Sequence, residues 1–547
     1  MVSSKPFAAH RTTVDSEKTD VDSLGGVAAD REDMRRLGKK QEFKRVFRTV
    51  TLLSFTTVGQ VSWQYSLLSN TQALTDGGRA VTEPALTDWE VLWTFAGFIL
   101  IAASLAEMAS MAPTAGGQYH WVSELAPPSM QRIASYITGW MMFLRWQAGQ
   151  AGGAFIVGTL IQAMLVIRDS TYVPQGWQGF LFVIPVSVVS ALLSLRISTG
   201  HLTVFNLSLV VHVLSCFTTA VVLWVFAPHV PTKYALVHFT NDGGWSSTGL
   251  SLLVGQVSMV AVLGGFDGAI HMAEEVRNAQ VVVPRVMVRS LLINGTLSII
   301  ATVLFAYCLP SIKAAISDPT GYPYLYVVQL STSKAGVYVL TTLLMVLLMV
   351  SSVTFLVATA RATFAFARDG GLPFSRWIAR VNPTSHSPVN AIILSTIITN
   401  LLSVIYVASP AAYNAILSVG ASGQLASYGL SISFLAYRRI TAPHSLPPAK
   451  WSLGHRFGLA VNLLAAAYSW VVFVMSFWPA VMHPTLQQFN WAAVVFGGVL
   501  ALAVVHYLVN GKGYTGPVAL TKKLIGGEYR CFHLSLYIIS HEHKRVF

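Results

Sequence analysis

The chain is poor in charge. Only 11% of its residues are Asp, Glu, Lys or Arg, less than half the roughly 25% of a soluble globular protein, so water cannot be the solvent for most of its surface. It is also poor in cysteine. Of three in 547 residues, Cys216 and Cys308 sit inside apolar stretches and Cys531 lies near the end, which offers neither a disulfide framework nor a thiolate metal site. His541-Glu542-His543 is too short a signal for a metal site, and no cofactor is implied. The first 48 residues contain no apolar h-region and so no cleavable signal peptide. They are expected to form a disordered polar tail, with the first apolar block directing its own insertion. No HExxH pair, Gly-x-Ser-x-Gly elbow or clustered His/Asp set occurs, so an enzyme is not expected. The formal charge of +13 comes from Lys and Arg placed between apolar blocks and in the tails. They make no stripe, so nucleic acid is not an expected partner.

What the chain has is apolar length. Hydrophobic residues make up 53%, in blocks of about 20, the length that crosses ~30 Å of hydrocarbon. A window of about 19 residues places twelve spans near 49–69, 91–111, 133–165, 179–197, 203–227, 250–272, 286–309, 335–360, 389–408, 413–436, 458–480 and 491–509. The expected fold class is an all-α polytopic membrane protein. Its transmembrane domain covers 49–509, flanked by tails 1–48 and 510–547. Lys and Arg accumulate in cytoplasmic loops. With the N-terminus inside, the inside segments collect the run Arg35 to Arg48 together with Arg132, Arg196, Arg277, Arg285, Arg289, Arg361, Arg368, Arg376, Arg380, Arg438, Arg439, Lys450 and Arg456. The outside loops hold only scattered cations such as Arg79, Arg168, Lys233 and Lys313. Both termini are therefore expected in the cytoplasm.

Glycine inside a span is informative, because a membrane helix can unwind only where its freed backbone faces protein or a wet cavity. The first span contains Thr56-Thr57-Val58-Gly59-Gln60-Val61-Ser62-Trp63, and the sixth contains Gly264-Gly265-Phe266-Asp267-Gly268. Five spans apart, they stand where two inverted repeats would each begin.

Ionisable groups at membrane depth cost at least ~2.5–3.5 kcal/mol on insertion scales unless they find a partner or water. Asp267 is one such group. Its carboxylate either helps to form a binding site or gate, or caps the half-helix that restarts at Gly268. Glu274 and Glu275, at the foot of that half-helix, either make gating salt bridges with loop arginines or are merely solvated, with the gate the favoured reading, and His271 beside them reads as structural. Glu107 closes the second span, just before Pro113 ends the helix and Gly116-Gly117 permit a tight turn. A packing or gating ion pair is its expected use.

The run Ser104 to Trp121, with Gly265-Phe266-Asp267-Gly268-Ala269-Ile270-His271-Met272-Ala273-Glu274-Glu275-Val276-Arg277-Asn278 and Pro284-Arg285, resembles the amino acid-polyamine-organocation permeases. Within them it is most similar to the fungal amino acid/choline branch, which includes GABA and choline carriers. Ile137-Thr138-Gly139-Trp140, Arg361 to Pro373 and Pro388-Val389-Asn390 extend the resemblance, which covers about residues 40 to 520.

The resemblance implies a LeuT-like fold, a five-plus-five inverted repeat plus two C-terminal helices. It implies alternating-access movement of an amino acid or related amine, such as GABA, choline or a polyamine, by symport with a proton, or with sodium as the alternative, in the plasma membrane. A nutrient-sensing receptor is the other reading. The implied substrate contacts are Thr57, Gly59, Gln60, Ser62, Gly264, Gly265, Phe266 and Asp267. Half-helix N-termini would face a carboxylate and C-terminal carbonyls an ammonium. Trp63 or Phe266 would close over the solute or meet a quaternary ammonium, plain helix packing being the favoured reading for either one. Relatives are generally proton-driven, which makes His212 a coupling candidate, a satisfied interior histidine being the favoured alternative. Ser351 and Ser352, with Thr354, either ligate sodium or hydrogen-bond between helices. Two stretches depart from the family: the polar segment 79–88, expected to shorten or re-register the second span, and the tail beyond about 521.

Overall fold

Apolar blocks too long for a soluble core become long helices, since in lipid every backbone polar group must be satisfied within its own segment. The computed structural model describes residues 26–68, 84–197, 203–236, 244–408, 410–479, 481–485, 489–511, 514, 516 and 517. Among them ten helices are long and apolar enough to cross a membrane. The first apolar block adds Thr49–Gln60 and 62–68, and Pro410–Thr441 adds a 32-residue helix. Each of the twelve expected spans is thus met by helix in the same order, and spans are numbered below in that order. The described residues contain no β-strand, only an isolated bridge between Phe47 and Val276.

Two boundaries moved. Span 2 runs from Pro84 to Met111, so it is not shortened; residues 79–83 lie outside the described residues. Span 7 starts at Ala279, ahead of the expected start near 286, and so contains Pro284. The proline is tolerated there because the carbonyl it leaves without an N–H partner, that of Gln280, accepts a hydrogen bond from Ser110 Oγ at 2.8 Å.

The N-terminal tail is a second correction. Residues 1–25 and 518–547, including Cys531, lie outside the described residues, but residues 26–48 are built onto the bundle instead of being disordered. Helix Ala28–Arg36 sets Asp30 against the start of span 7, where its carboxylate accepts from the backbone N–H groups of Asn278 and Ala279 at 3.0 and 3.1 Å. An acidic side chain suits the positive end of that helix. Arg45, itself buried, donates to the Ala273 and Val276 carbonyls, and Lys39 pairs with Asp369 at 2.5 Å. These charges order the segment because the frayed foot of span 6 offers backbone partners.

Spans 1 and 6 sit centrally. Span 1 packs on spans 5, 7 and 8, span 2 lies along span 7, and span 3 along spans 8 and 10. Spans 4, 5, 9 and 12 show large exposed apolar side chains such as Leu192, Leu214, Leu401 and Leu508, the signature of a lipid-facing shell.

Candidate functional site

Helix Thr49–Gln60 stops because Val61 adopts a left-handed backbone conformation, φ 39°, which a β-branched residue rarely takes. Helix resumes over 62–68. The break is held by Asn294 of span 7. Its Nδ2 donates to the Thr57 carbonyl and to Gln60 Oε1, both at 3.0 Å, and its Oδ1 accepts from Ser62 N at 3.4 Å. Span 8 adds Ser351 Oγ, which donates to the Gly59 carbonyl at 2.7 Å.

Span 6 breaks after Leu263. Gly264 is extended, Gly265 has φ 97° and helix restarts at Gly268. The two breaks meet directly, since Gln60 Nε2 donates to the Leu263 carbonyl at 3.3 Å. Asp267 does not cap the restarted half-helix; its carboxylate accepts from Gln118 Nε2 at 3.0 Å.

Between the breaks lies a cavity of about 100 Å³, with room for a small solute. Its walls include Gly59 and Gln60 of span 1, Gly264 of span 6, Phe355 of span 8 and Gln424 of span 10. Span 3 contributes Arg145, Ala148, Gly149, Gly152 and Gly153. Tyr65, Gly153 and Ile156 carry the lining past the breaks, away from the end that holds residues 26–48.

That end is shut. Trp146 packs on Phe355 at 4.6 Å and on His271 at 5.0 Å between ring centroids, and His271 Nδ1 donates to the Ala115 carbonyl at 2.8 Å. Arg368 takes Glu274 with both terminal nitrogens, at 2.8 and 2.9 Å, and Arg361 takes Glu275 at 2.7 Å. Burial alone would raise the Glu274 carboxyl, but the Arg368 guanidinium and the Ala115 N–H together hold it below its ordinary value. Tyr119 and Lys39 both reach Asp369.

Of the expected substrate contacts, Gly59, Gln60 and Gly264 line the cavity. Gly265 lies behind Gln60, where a Cβ would come 3.4 Å from Gln60 Cγ. Thr57 and Ser62 are buried beside the first break, their hydroxyls without hydrogen-bond partners. Trp63 is turned away; its indole N–H donates to the His212 carbonyl at 3.2 Å. Phe266 packs between Phe98 and Tyr428, and Asp267 sits beneath the cavity on Gln118. Glu107 ties span 2 to span 10 through Arg439 at 2.5 Å and to the following loop through Ser452 and Leu453 N–H, away from both breaks. His212 is fully buried against Gln64 at 3.1 Å. Ser351 and Ser352 point to different partners, Ser352 to Gln150 and Ser190, so they do not converge on one site.

The expected set lacks most of the lining, and among the missing residues Arg145 and Gln424 bring nitrogen donors to it. Arg145 stands in Phe143-Leu144-Arg145-Trp146, an ionisable group in an apolar span, the same signal that singled out Asp267. No metal-binding cluster occurs among the described residues.

An all-helical, multi-pass bundle whose two broken helices enclose a cavity closed at one end has the architecture of a membrane transporter. The chain belongs to the amino acid permease family, which matches residues 47–500. Similar proteins include two uncharacterized amino-acid permeases of Schizosaccharomyces pombe. One is 28% identical over 92% of this chain and 88% of its own length, the other 29% identical over 88% of each. A choline transporter of Saccharomyces cerevisiae is 26% identical over 90% of this chain and 85% of its own length.

Proposed function

We propose that the chain is a secondary active transporter that carries an amino acid or related amine, such as GABA, choline or a polyamine, across the plasma membrane by alternating access in symport with protons. The observation that carries the reading is the cavity set between two helix breaks and sealed at one end by charge pairs. Gln60 and Gly264 grip the solute where span 1 and span 6 open. Glu274–Arg368 and Glu275–Arg361 form the cytoplasmic gate, which must part for the solute to leave on that side. Glu107–Arg439 fastens the scaffold against which the gate moves. His212, on span 5 and in contact with Gln64 of span 1, is the coupling candidate.

Purified chain in liposomes with an imposed proton gradient tests this. Saturable uptake of labelled amino acid, GABA, choline or polyamine that collapses with a protonophore is expected. Saturable binding without uptake favours a sensing receptor, and neither binding nor uptake removes the proposal.

A further inference from the structure

Of the four buried arginines among the described residues, three hold carboxylates: Arg45 with Asp30, Arg361 with Glu275 and Arg439 with Glu107. The fourth, Arg145, does not. It lines the cavity, is 6% exposed, and no hydrogen bond or ion pair reaches it among the described residues; its Nε is an unpartnered buried donor. It stands 14 residues into the helix that starts at Gln131, about 21 Å along the axis at ~1.5 Å per residue, so bulk water at the helix ends is remote. A guanidinium does not escape by losing its proton.

We propose that Arg145 anchors a carboxylate of the transported solute, which makes the substrate class carboxylate-bearing amines, that is amino acids and betaine-like zwitterions, and excludes choline and polyamines. The inference rests on the transport reading and narrows its substrate. Five N–H donors in a planar fork match a carboxylate two bonds at a time. The fork is held in place by rings rather than by hydrogen bonds, its carbon lying 5.0 Å from the Trp146 and 5.2 Å from the Phe355 centroid. Two glycines clear its surroundings. A Cβ on Gly149 would come 2.6 Å from Nη1, and one on Gly264 would come 3.1 Å from Nη2.

The remaining lining fits a zwitterion. The lining includes no acidic side chain; the nearby Asp267 has one carboxylate oxygen on Gln118 and the other buried without a hydrogen-bond partner, and it forms no ion pair with Arg145. A solute with positive charge alone would add to an uncompensated guanidinium. A carboxylate neutralises it, and leaves the ammonium to the carbonyls at the ends of the first halves of spans 1 and 6. Those of Gly59 and Leu263 each accept one hydrogen bond from protein and retain a second lone pair.

Matched solute pairs test the assignment on the full chain. In each pair only the carboxylate differs: betaine against choline, GABA against 4-aminobutyramide, and each protein amino acid against its amide. Thermal stabilisation of the purified chain and competition for gradient-driven uptake are read in parallel. At least one carboxylate-bearing solute is expected to stabilise the wild type and compete where its partner does not. Arg145→Gln should weaken that solute roughly tenfold to hundredfold and erase the difference within the pair, and Arg145→Lys should restore it in part. If the variants fail to fold, the wild-type pairs decide alone. Choline acting as well as betaine, or an absence of any carboxylate-dependent effect, overturns the assignment, and uptake in that experiment would leave the transport reading standing. Carboxylate-selective binding without uptake would sustain the role of Arg145 and sink transport instead.

Discussion

Arg145 and Gly264 are fitted to one another: a side chain on Gly264 would begin 3.1 Å from Nη2 of Arg145 and 2.7 Å from Oε1 of Gln424. The break in span 6 therefore leaves the room that a span 3 arginine and a span 10 glutamine occupy. Any movement that closes the break must also move these two side chains. That links the backbone opening of one helix to the charge that lines the cavity.

Gly264→Ala is expected to fold, because the atoms it meets are ends of flexible side chains, and to bind solute poorly. Its backbone, φ −70° and ψ 166°, suits any residue. Overpacking of about 1–2 kcal/mol should appear as roughly a tenfold rise in the uptake KM with little change in unfolding midpoint. A variant with unchanged KM would show that the cavity is not the solute path.

The spans and the two breaks could be read from the chain because both follow from local composition: apolar runs of membrane length, and glycines within two of them. Which way each side chain turns could not. Trp63 falls two residues beyond the left-handed Val61, which rotates it toward span 5, while Phe266 is carried to Phe98 and Tyr428 by the turn at Gly265. In a span that is apolar all round, the 3.6-residue period marks no inner face, so aromatic character gives no direction. Arg145 was visible by the depth argument applied to Asp267. The order of residues 26–48 was not, since a polar composition says nothing about backbone groups waiting at the end of another helix.

Asn294 should be the least replaceable residue of the first break. Asn294→Ala strands the Ser62 N–H and removes the donor to Thr57 and Gln60, an expected cost of about 2–4 kcal/mol for two or more buried groups left unpaired. Asn294→Asp keeps the acceptor for Ser62 but loses the Nδ2 donor. It should be nearly as damaging, in thermal unfolding and in uptake. An aspartate variant that behaves as wild type would show that the amide does not hold the break.

The Glu275–Arg361 pair is 1–2% exposed on both sides. Removing one partner leaves a buried charge, so Glu275→Gln should destabilise the chain by about 3 kcal/mol or more. Replacing both partners by leucine and methionine should recover most of that in thermal unfolding. Since a gate that cannot form a polar seal has no reason to reopen in water, the double variant should remain slow in uptake. Recovery of both properties would make the pair ornamental to gating.

Acidification should separate Glu274 from its neighbour Glu42. Burial pushes the Glu42 carboxyl up, with Arg368 opposing and Glu274 adding to the rise, so Glu42 is the first of the two to take a proton as pH falls. Glu274, held by Arg368 below its ordinary 4.5, remains ionised. A depressed carboxyl contributes stability that is fully present above 4.5 and is lost as pH falls through the lower folded value. The wild-type unfolding midpoint should therefore owe nothing to Glu274 titration between about pH 7 and pH 5.5. It should then drop in the more acidic range as the pair with Arg368 is broken. Glu274→Gln should begin from a lower midpoint at neutral pH and lack that part of the acid drop. If both proteins lose stability in parallel below 4.5, the seal at this end is not maintained by the ionised Glu274.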